Sequence, residues 1–569
     1  MINKVLRVPV AAGLLVIAAA ALAVSGAFSG SSPAKTGNSH TSALAHTAAA
    51  TGTTINLVGG TFPQSLDPGL DYTTQGSETN WIVYTGLTTY AHKTGLAGGQ
   101  LIPGLGSTLP KISDGGKTYT VTLRKGLKYS DGTAVKASDF THTMERALTI
   151  PWGGASAFIT PNVVGASAFA SGKAKTISGV SANDATGKIV IHLTAPYGPF
   201  DNVLAFPALG LVPSSTPMKV EPTSPPPGVG PYMVKNIVAN QSYLVAQNPL
   251  WNSEKIPGIP AGHVNVQVTI NSNVNANALN VLNNKDDVFD WADTIPGNLL
   301  GQINAKAKSR YHLINLGGST YYVFMNMQAK PFNNQDVREA VVTGLNQNAM
   351  SRLGGGTLEP ACFFLPPAVT GHPTGKCPYG TPGNGNLKKA KQLIQKSGLA
   401  GTPVTVWSEL RSPRKEWMTY YASFLNQIGL KATLKTVADA NYFTTIGESK
   451  KLDPQTGFAD WNQDFPNPVD FYGVLLDGHA ITPTNNENFG QTNDPYINGQ
   501  VAKLGATPST NLDSVAKQWQ KLDAYVAKKA YAGVFGYQKF PFFTSSRINN
   551  GALVYQPIYG WDFTSFQVS

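Results

Sequence analysis

Residues 386–437 decide the fold class, and they read NLKKAKQLIQKSGLAGTPVTVWSELRSPRKEWMTYYASFLNQIGLKATLKTV. The spacing of apolar residues predicts helix Lys388–Lys396, strand Val404–Trp407, helix Lys415–Gln427 and strand Leu430–Val437. Strands that alternate with helices form βαβ units, in which each helix connects two parallel strands. The stretch therefore predicts an α/β fold with a largely parallel sheet.

Further strands and helices are predicted on both sides of this stretch. The expected strands are Thr54–Val58, Tyr119–Leu123, Ile189–Leu193 and Tyr321–Met325, with Tyr232–Val238 and Tyr243–Gln247 as a hairpin. Helices are expected at Ser77–Tyr90, at Ser138–Leu148 with Ser138 as the cap, and from Thr510, where Thr510 and Asp513 have capping-box spacing. The proline-rich run Pro222–Pro231 interrupts the pattern and predicts a crossing between lobes.

The first 52 residues differ in composition from the rest of the chain. Lys4 and Arg7 precede the apolar run Val8–Val24, which is typical of an export signal over residues 1–27. The run Leu22–Gly26 resembles the residues before the lipidated cysteine of a bacterial lipoprotein, but position 27 is Ala27, so no thioether lipid can form there. The signal is expected either to be cleaved or to remain as a membrane anchor, and residues 28–52 are expected to form a flexible tether.

The composition of the chain limits the class of partner. The 569 residues are 42% hydrophobic and carry 43 Lys and Arg against 32 Asp and Glu, a net charge of +11. The positive charge is dispersed, because no run of Lys and Arg is longer than two residues, as at Lys388-Lys389. This dispersal argues against a nucleic-acid groove and fits a protein of the cell envelope, which is rich in polyanions.

The chain has two cysteines, Cys362 and Cys377, in a loop rich in proline. In an exported protein such a pair is expected to form a disulfide. Two isolated thiols lack the four-ligand spacing of a zinc site, even with His372 between them, so no metal site is predicted.

Catalytic motifs are largely absent from the sequence. The run Gly115-Gly116-Lys117-Thr118 ends like a phosphate loop, but position 111 is Lys111 and the residues that follow read as a strand instead of a helix. Neither H-E-x-x-H nor G-x-S-x-G occurs, so no cofactor and no catalytic residue is predicted. A pair of carboxylates leaves no local motif, which keeps an exported hydrolase open as a remote alternative.

Nine motifs in a fixed order resemble one family. They are Ser65–Pro68, Leu101–Leu105, Asp114–Tyr119, Leu123–Thr133, Gly228–Tyr232, Gln247–Trp251, Pro331–Ala340, Lys388–Leu393 and Trp461–Pro468. Each motif alone has little specificity, but the colinear set spans about residues 54–569. The set resembles the oligopeptide/dipeptide-type extracellular solute-binding proteins of family five, which are substrate-binding components of ABC importers.

The resemblance implies a periplasmic-binding-protein-like fold of the large type, with two lobes and a hinged cleft. Lobe I would comprise residues 53–95, 228–322 and 540–569, the extra domain II would be 96–227, and lobe III would be 323–539. It implies a monomer that performs no chemistry and captures short peptides for an ABC permease with its ATPase subunits. The same fold could instead bind another solute, such as a sugar or a nickel chelate.

The resemblance also implies a ligand site around Asp464. Asn467 suits the N-cap of a helix and Pro468 its first position, so Asp464 belongs to the loop before that helix. The sequence alone favours an ordinary turn aspartate. In peptide-binding members the matching aspartate pairs with the α-ammonium of the ligand, and this resemblance favours the ligand role. Trp461 matches an aromatic residue of the same pocket, and Trp291, Tyr72 and Thr74 fall near cleft segments of the family.

Overall fold

The computed structural model describes residues 53–150, 152–438, 441–449, 454–484 and 486–569, except for the side chains of residues 156 and 157. The predictions about the export signal, about Ala27 and about the tether lie outside the described residues. No helix within the described ranges has the length and apolarity needed to cross a membrane.

The described residues form twenty strands and fourteen α-helices. The strands are β1 Thr54–Gly59, β2 Thr88–Tyr90, β3 Leu101–Pro103, β4 Lys111–Ser113, β5 Thr118–Thr122, β6 Val180–Asn183, β7 Lys188–His192, β8 Tyr232–Val238, β9 Ser242–Gln247, β10 Asn265–Ile270, β11 Val288–Phe289, β12 Tyr311–Asn315, β13 Ser319–Met325, β14 Leu358–Glu359, β15 Pro403–Glu409, β16 Lys431–Val437, β17 Thr456–Asn462, β18 Ala532–Thr544, β19 Tyr555–Gln556 and β20 Gly560–Trp561. The helices are α1 Thr74–Val83, α2 Ser138–Thr149, α3 Ala166–Ala170, α4 Phe200–Val203, α5 Val274–Leu282, α6 Leu300–Lys306, α7 Gln335–Gly344, α8 Gln347–Leu353, α9 Leu387–Ser397, α10 Arg414–Ile428, α11 Tyr442–Ile446, α12 Pro468–Leu475, α13 Pro495–Leu504 and α14 Ala516–Lys529.

The largest sheet has twelve strands and is held together by β18. Ten of the strands follow the order β16-β15-β17-β13-β18-β11-β1-β10-β9-β8, and β12 and β14 also pair with β18. The first half of β18 pairs with β13, where Val323 faces Gly533, and its second half pairs with β12, where Tyr311 faces Phe543. One long strand therefore joins the two halves of the sheet.

The prediction of a largely parallel sheet is wrong. The pairs β15–β16, β15–β17, β1–β10 and β1–β11 are parallel, as βαβ connections require, but β18 is antiparallel to β11, β12, β13 and β14. The alternation in residues 386–437 describes its own βαβ unit correctly and does not extend to the strands that return from distant parts of the chain.

Two large hydrophobic cores lie on the two halves of this sheet. The first core collects residues between Ile55 and Leu316 together with the C-terminal residues Phe542–Phe566, and it also contains Phe465. The second core collects residues between Tyr321 and Tyr537. A smaller third core packs α5 and α6 against Val58, Phe289 and Phe543. Apart from Phe465, each large core is built from one side of the β13–β18 junction.

Several local predictions are confirmed and three are wrong. The elements α9, β15, α10 and β16, and the β8–β9 hairpin, form where the sequence predicted them. The expected helix Ser77–Tyr90 is replaced by α1 and β2, and between them a side chain at Gly86 would lie 2.3 Å from the carbonyl oxygen of Leu204. Neither expected cap is used, because α2 has Ala137 at its N-cap and α14 begins only at Ala516.

The predicted disulfide between Cys362 and Cys377 is present, with Cα atoms 6.0 Å apart. It closes the loop that contains Phe364, Leu365 and Val369, whose side chains belong to the second core. The disulfide therefore fixes both ends of a segment that packs against this core.

Candidate ligand-binding site

A cavity of about 740 Å³ lies where residues from both sides of the β13–β18 junction meet. On the side of the first core it is lined by residues 72–75, 291–294 and 557–559, and on the other side by residues 318–319, 411–414 and 462–464. Its volume falls in the range of small-molecule sites, about 300–1,000 Å³. The cavity therefore has the size and the two-sided wall of a cleft that encloses a solute.

The loop that carries Asp464 is fixed at both of its ends. At its C-terminal end, Asn467 is the N-cap of α12 and accepts a hydrogen bond of 3.0 Å from the backbone N–H of Val469, and Pro468 occupies the first helical position, as predicted. Phe465 points away from the cavity into the first core, where its ring contacts Phe158 and Phe206. Because its neighbours are held in this way, Asp464 lines the cavity from a rigid loop.

The carboxyl group of Asp464 has hydrogen-bond partners and no cation. The phenol of Tyr72 donates a hydrogen bond of 2.8 Å to Oδ2, from the opposite side of the cavity. Burial raises the pKa of Asp464 to about 6, and the hydrogen bond from Tyr72 opposes this rise. Among the described residues, no Lys, Arg or His forms an ion pair with it.

Asp470 supports Asp464 from the first turn of α12. Its Oδ2 accepts a hydrogen bond of 2.8 Å from the backbone N–H of Asp464 and one of 3.2 Å from the indole of Trp461. Burial raises the pKa of Asp470 well above its usual value, and so does the nearby charge of Asp464. Both effects favour the neutral form of Asp470 when Asp464 is ionised.

The structure brings four of the five predicted ligand residues to one cavity. Asp464, Tyr72, Thr74 and Trp291 line it, and Trp461 does not. Trp461 lies on β17, where successive side chains alternate between the two faces of the sheet. The next residue, Asn462, lines the cavity, so the face that holds Trp461 is turned toward the second core and Asp470.

The aromatic residues on the side of the first core are held by close packing. Tyr72 packs edge-on against Trp152, with ring centroids 5.7 Å apart. Trp291 packs against Phe540, with centroids 5.0 Å apart, and its indole lies so close to Gly560 that a Cβ there would come within 1.9 Å of it. Gly560 also has φ of +76°, so the turn and the packing both require glycine.

The cavity is also lined by two arginines, which the sequence analysis did not predict. Arg414 donates hydrogen bonds of 2.7 Å to Glu409 and 2.6 Å to Asp460, and its guanidinium lies over the ring of Phe458. Arg411 is more exposed and lies 3.3 Å from Glu409. Both belong to the segment Arg411–Arg414, which directly follows the parallel strand β15, and loops in this position form ligand sites in α/β folds. That position is the signal by which they could have been predicted.

The described residues contain no group of three or more His, Cys, Asp or Glu side chains that could hold a metal ion. The charged side chains that line the cavity are Asp464, Asp293 and the two arginines, and aromatic residues form much of its wall.

A sheet shared by two cores, with this charged cavity between them, defines a two-lobed α/β binding protein. The model of the bacterial extracellular solute-binding proteins, family 5 (Middle), matches residues 100–482, which is more than half of the chain. The chain belongs to this family of solute-binding proteins.

Relatives and solved structures extend this result. The chain is 25% identical over 508 residues to the oligopeptide-binding protein OppA of Bacillus subtilis (strain 168), covering 85% of each chain. It is 27% identical over 372 residues to the glutathione-binding protein GsiB of Escherichia coli O6:K15:H31, covering 62% of this chain and 66% of that protein. The fold is similar to that of the clavulanic acid biosynthesis oligopeptide binding protein 2, with a TM-score of 0.81, 22% identity and coverage of 91% of this chain and 96% of that one. It is also similar to DppA from Helicobacter pylori in complex with the peptide STSA, with a TM-score of 0.68, 20% identity and coverage of 91% and 98%.

Proposed function

We propose that the protein captures short peptides in this cavity and delivers them to an ABC permease. The observation that carries the proposal is the carboxylate of Asp464, which lines the cavity and forms no ion pair with any of the described residues. A free α-ammonium that enters such a cleft loses its water and must be met by an anion. Asp464 supplies that anion.

Arg411 and Arg414 carry the charge opposite to that of Asp464, and together the three side chains form a site for a zwitterion. Arg414 is held between Glu409 and Asp460, whereas the more exposed Arg411 can turn toward a carboxylate of the ligand. Arg side chains bind carboxylates through two parallel hydrogen bonds. A peptide, with one ammonium and one carboxylate at its ends, matches this arrangement. The relatives named above as oligopeptide-binding and glutathione-binding proteins support the same class of ligand.

The proposal includes the organisation of the chain. Lobe I would comprise residues 53–95, 228–322 and 540–569, domain II residues 96–227, and lobe III residues 323–539, with β13 and β18 as the hinge. The two large cores support the separation of lobe III from the rest, since almost every residue of each core falls on one side of the β13–β18 junction. The first core contains residues of both lobe I and domain II. Closure of the two lobes on a ligand would then enclose it within the cavity.

The proposal also includes an extracytoplasmic location. The protein would act as a monomer outside the cytoplasmic membrane, with a permease and its ATPase subunits as partners and without a diacylglycerol anchor, because position 27 is Ala27. Metabolic labelling with a fatty acid tests the last point, and incorporation of label into this chain would contradict it.

Titration calorimetry with two forms of one synthetic peptide pool tests the function. A charge-assisted hydrogen bond contributes about 1.5–3 kcal/mol, which is about a tenfold to hundredfold change in affinity. Asp464→Asn should therefore weaken peptides with free amino termini by this factor and should change N-acetylated peptides little. Asp114→Asn, at an exposed position outside the cavity, is the matched control.

Two outcomes would contradict different parts of the proposal. If the wild type binds neither form of the pool, the ligand is not a peptide. If Asp464→Asn weakens both forms equally, Asp464 is a structural turn residue, and peptides are held elsewhere in the cavity.

A further inference from the structure

Three acidic side chains, Glu78, Asp290 and Asp293, form a cluster on the first-core side of the cavity. Asp293 lines the cavity, and its Oδ2 accepts a hydrogen bond of 2.6 Å from the backbone N–H of Gly60. Glu78 and Asp290 do not line the cavity and are only 3% and 4% exposed. The cluster therefore presents one carboxyl group to the ligand and has two more buried behind it.

The described residues place no cationic side chain in an ion pair with this cluster. Among the same residues, Oε1 of Glu78 has no hydrogen-bond partner. Tyr243 on β9, whose pKa is raised by burial and by the charges of Glu78 and Asp290, adds no positive charge to the cluster. Asp293 is partly buried and lines the cavity without a cationic side chain beside it among the described residues, so its charge can pair with a cation of the ligand.

Burial without a cationic partner raises the pKa of all three carboxyl groups. Burial, together with the charge of Asp293, raises the pKa of Asp290 to about 8, and burial raises the pKa of Asp293 to about 6. The pKa of Glu78 is also raised well above its usual value, by burial and then by Asp290. At neutral pH the cluster therefore holds a proton on Asp290 and a negative charge on Asp293, and the raised pKa of Glu78 favours its neutral form. A cation placed beside Asp293 would favour ionisation of its neighbours and release a proton.

We infer that Asp293 binds a cationic side chain of the peptide, that of Lys or Arg, and that the cavity selects basic peptides. This inference rests on the proposed function, because it assigns a side-chain preference within the same cavity. The cation is organic, since the cluster has no geometry among the described residues that could hold a metal ion. An ammonium or guanidinium has three or five N–H donors, which suits a site that offers only acceptors.

The test compares lysine with norleucine, whose side chain has similar length and no charge. The probes are Lys-Ala-Ala, Ala-Lys-Ala and Ala-Ala-Lys and their norleucine counterparts, titrated into the wild type, Asp293→Asn and the control Asp114→Asn. At least one lysine peptide should bind the wild type about tenfold to a hundredfold more tightly than its counterpart. Asp293→Asn should remove this preference and leave the affinity for the norleucine peptides nearly unchanged.

A second measurement requires no variant. Calorimetry at pH 7 in buffers of different ionisation enthalpy measures the protons released on binding, and the lysine peptide should release more protons than the norleucine peptide. Equal affinity for both members of every pair, with equal proton release, would overturn the inference while leaving peptide binding intact. If none of the six peptides binds the wild type, the proposed function fails and the inference fails with it.

Discussion

The phenol of Tyr72 donates a hydrogen bond of 2.8 Å to Oδ2 of Asp464, and the two residues stand on opposite sides of the cavity, 392 positions apart in the chain. Tyr72 is packed against Trp152 on the side of the first core, and Asp464 lies on the loop between β17 and α12. This bond therefore connects the two walls of the cleft. It also satisfies one oxygen of the Asp464 carboxylate, which we propose binds the ammonium group of the ligand. A carboxylate can accept more than one hydrogen bond at each oxygen, so Tyr72 and an ammonium can bind it together.

Tyr72→Phe is expected to weaken the binding of peptides with free amino termini about threefold to tenfold. The variant removes one hydrogen bond of about 0.5–1.5 kcal/mol between the two walls and leaves the aromatic packing against Trp152 in place. It also removes the interaction that opposes the rise in the pKa of Asp464, so this pKa should increase further. Calorimetry at several pH values measures both effects. Unchanged affinity and an unchanged pH profile would show that the bond contributes to neither.

Peptide affinity should depend on pH on both sides of neutrality. The carboxyl group of Asp464, with a pKa of about 6 in the empty cavity, must be ionised to hold an ammonium, so affinity should fall about tenfold for each pH unit below 6. The peptide amine has a pKa of about 8 and must be protonated, so affinity should fall again above pH 8. In Asp464→Asn the acidic limb should be absent for peptides without Lys or Arg, whose side chains we assign to Asp293. If the limb persists in that variant, another group controls it.

The stability of the ligand-free protein should decrease as pH rises from 5 to 8. Asp523 is fully buried, and burial raises its pKa to about 7 although Tyr472 and the backbone of Phe364 donate hydrogen bonds to it. Above about pH 4 the unfolded state has released this proton, whereas the folded state still holds it. The stability gained from this difference falls as pH rises and is lost once pH passes 7. Each unit of difference in pKa corresponds to about 1.4 kcal/mol.

Asp523→Asn tests this assignment. The amide oxygen can replace Oδ1, which accepts the hydrogen bonds from Phe364 and Tyr472, and the amide does not ionise. The variant should melt near the wild-type temperature at pH 5 and several degrees above it at pH 8, by differential scanning calorimetry. Parallel pH profiles for the two proteins would contradict the assignment.

The local elements around the site were predictable from sequence, and so were four residues of its wall through the family resemblance, whereas Asp293 and the two arginines were not predicted. The start of α12 follows from Asn467 and Pro468 because caps act within one turn. The convergence of Arg411, Asp293 and Asp464 depends on how β18 joins two halves of a sheet, and no local pattern contains that pairing. Trp461 was misplaced for a related reason, since alternation along β17 is visible in the sequence but the face that borders the cavity is not.

Removal of the disulfide should lower stability without changing the site. Cys362 and Cys377 are separated by 15 residues, and the entropy of a loop of that length corresponds to about 3 kcal/mol. The double variant Cys362→Ala and Cys377→Ala should therefore melt at a lower temperature and bind the peptide pool with wild-type affinity, because neither cysteine lines the ligand cavity. Reduction of the wild type under the same conditions should reproduce the lower melting temperature. A loss of affinity in the double variant would show that the loop also shapes the cavity.

A contact centred on Gly198 should control how long a bound peptide is retained. The N–H of Gly198 donates a hydrogen bond of 2.8 Å to the carbonyl of Gly505, and its own carbonyl accepts one of 3.1 Å from the N–H of Ser509. These residues belong to the proposed domain II and lobe III and do not line the ligand cavity. A Cβ on Gly198 would lie 1.9 Å from the carbonyl oxygen of Thr507, so Gly198→Ala must push the two segments apart. Two backbone hydrogen bonds of about 1 kcal/mol each would be lost, so peptides should dissociate about tenfold to thirtyfold faster.

Since the contact does not touch the ligand, free and N-acetylated peptides should be affected equally, and small-angle scattering should show a larger radius of gyration. Gly499→Ala is the matched control, because Gly499 lies on the nearby helix α13 with open space around its Cβ position, and it should leave dissociation rates unchanged. If Gly198→Ala lowers the melting temperature but leaves dissociation and the radius unchanged, the contact is permanent packing and does not open with the cleft.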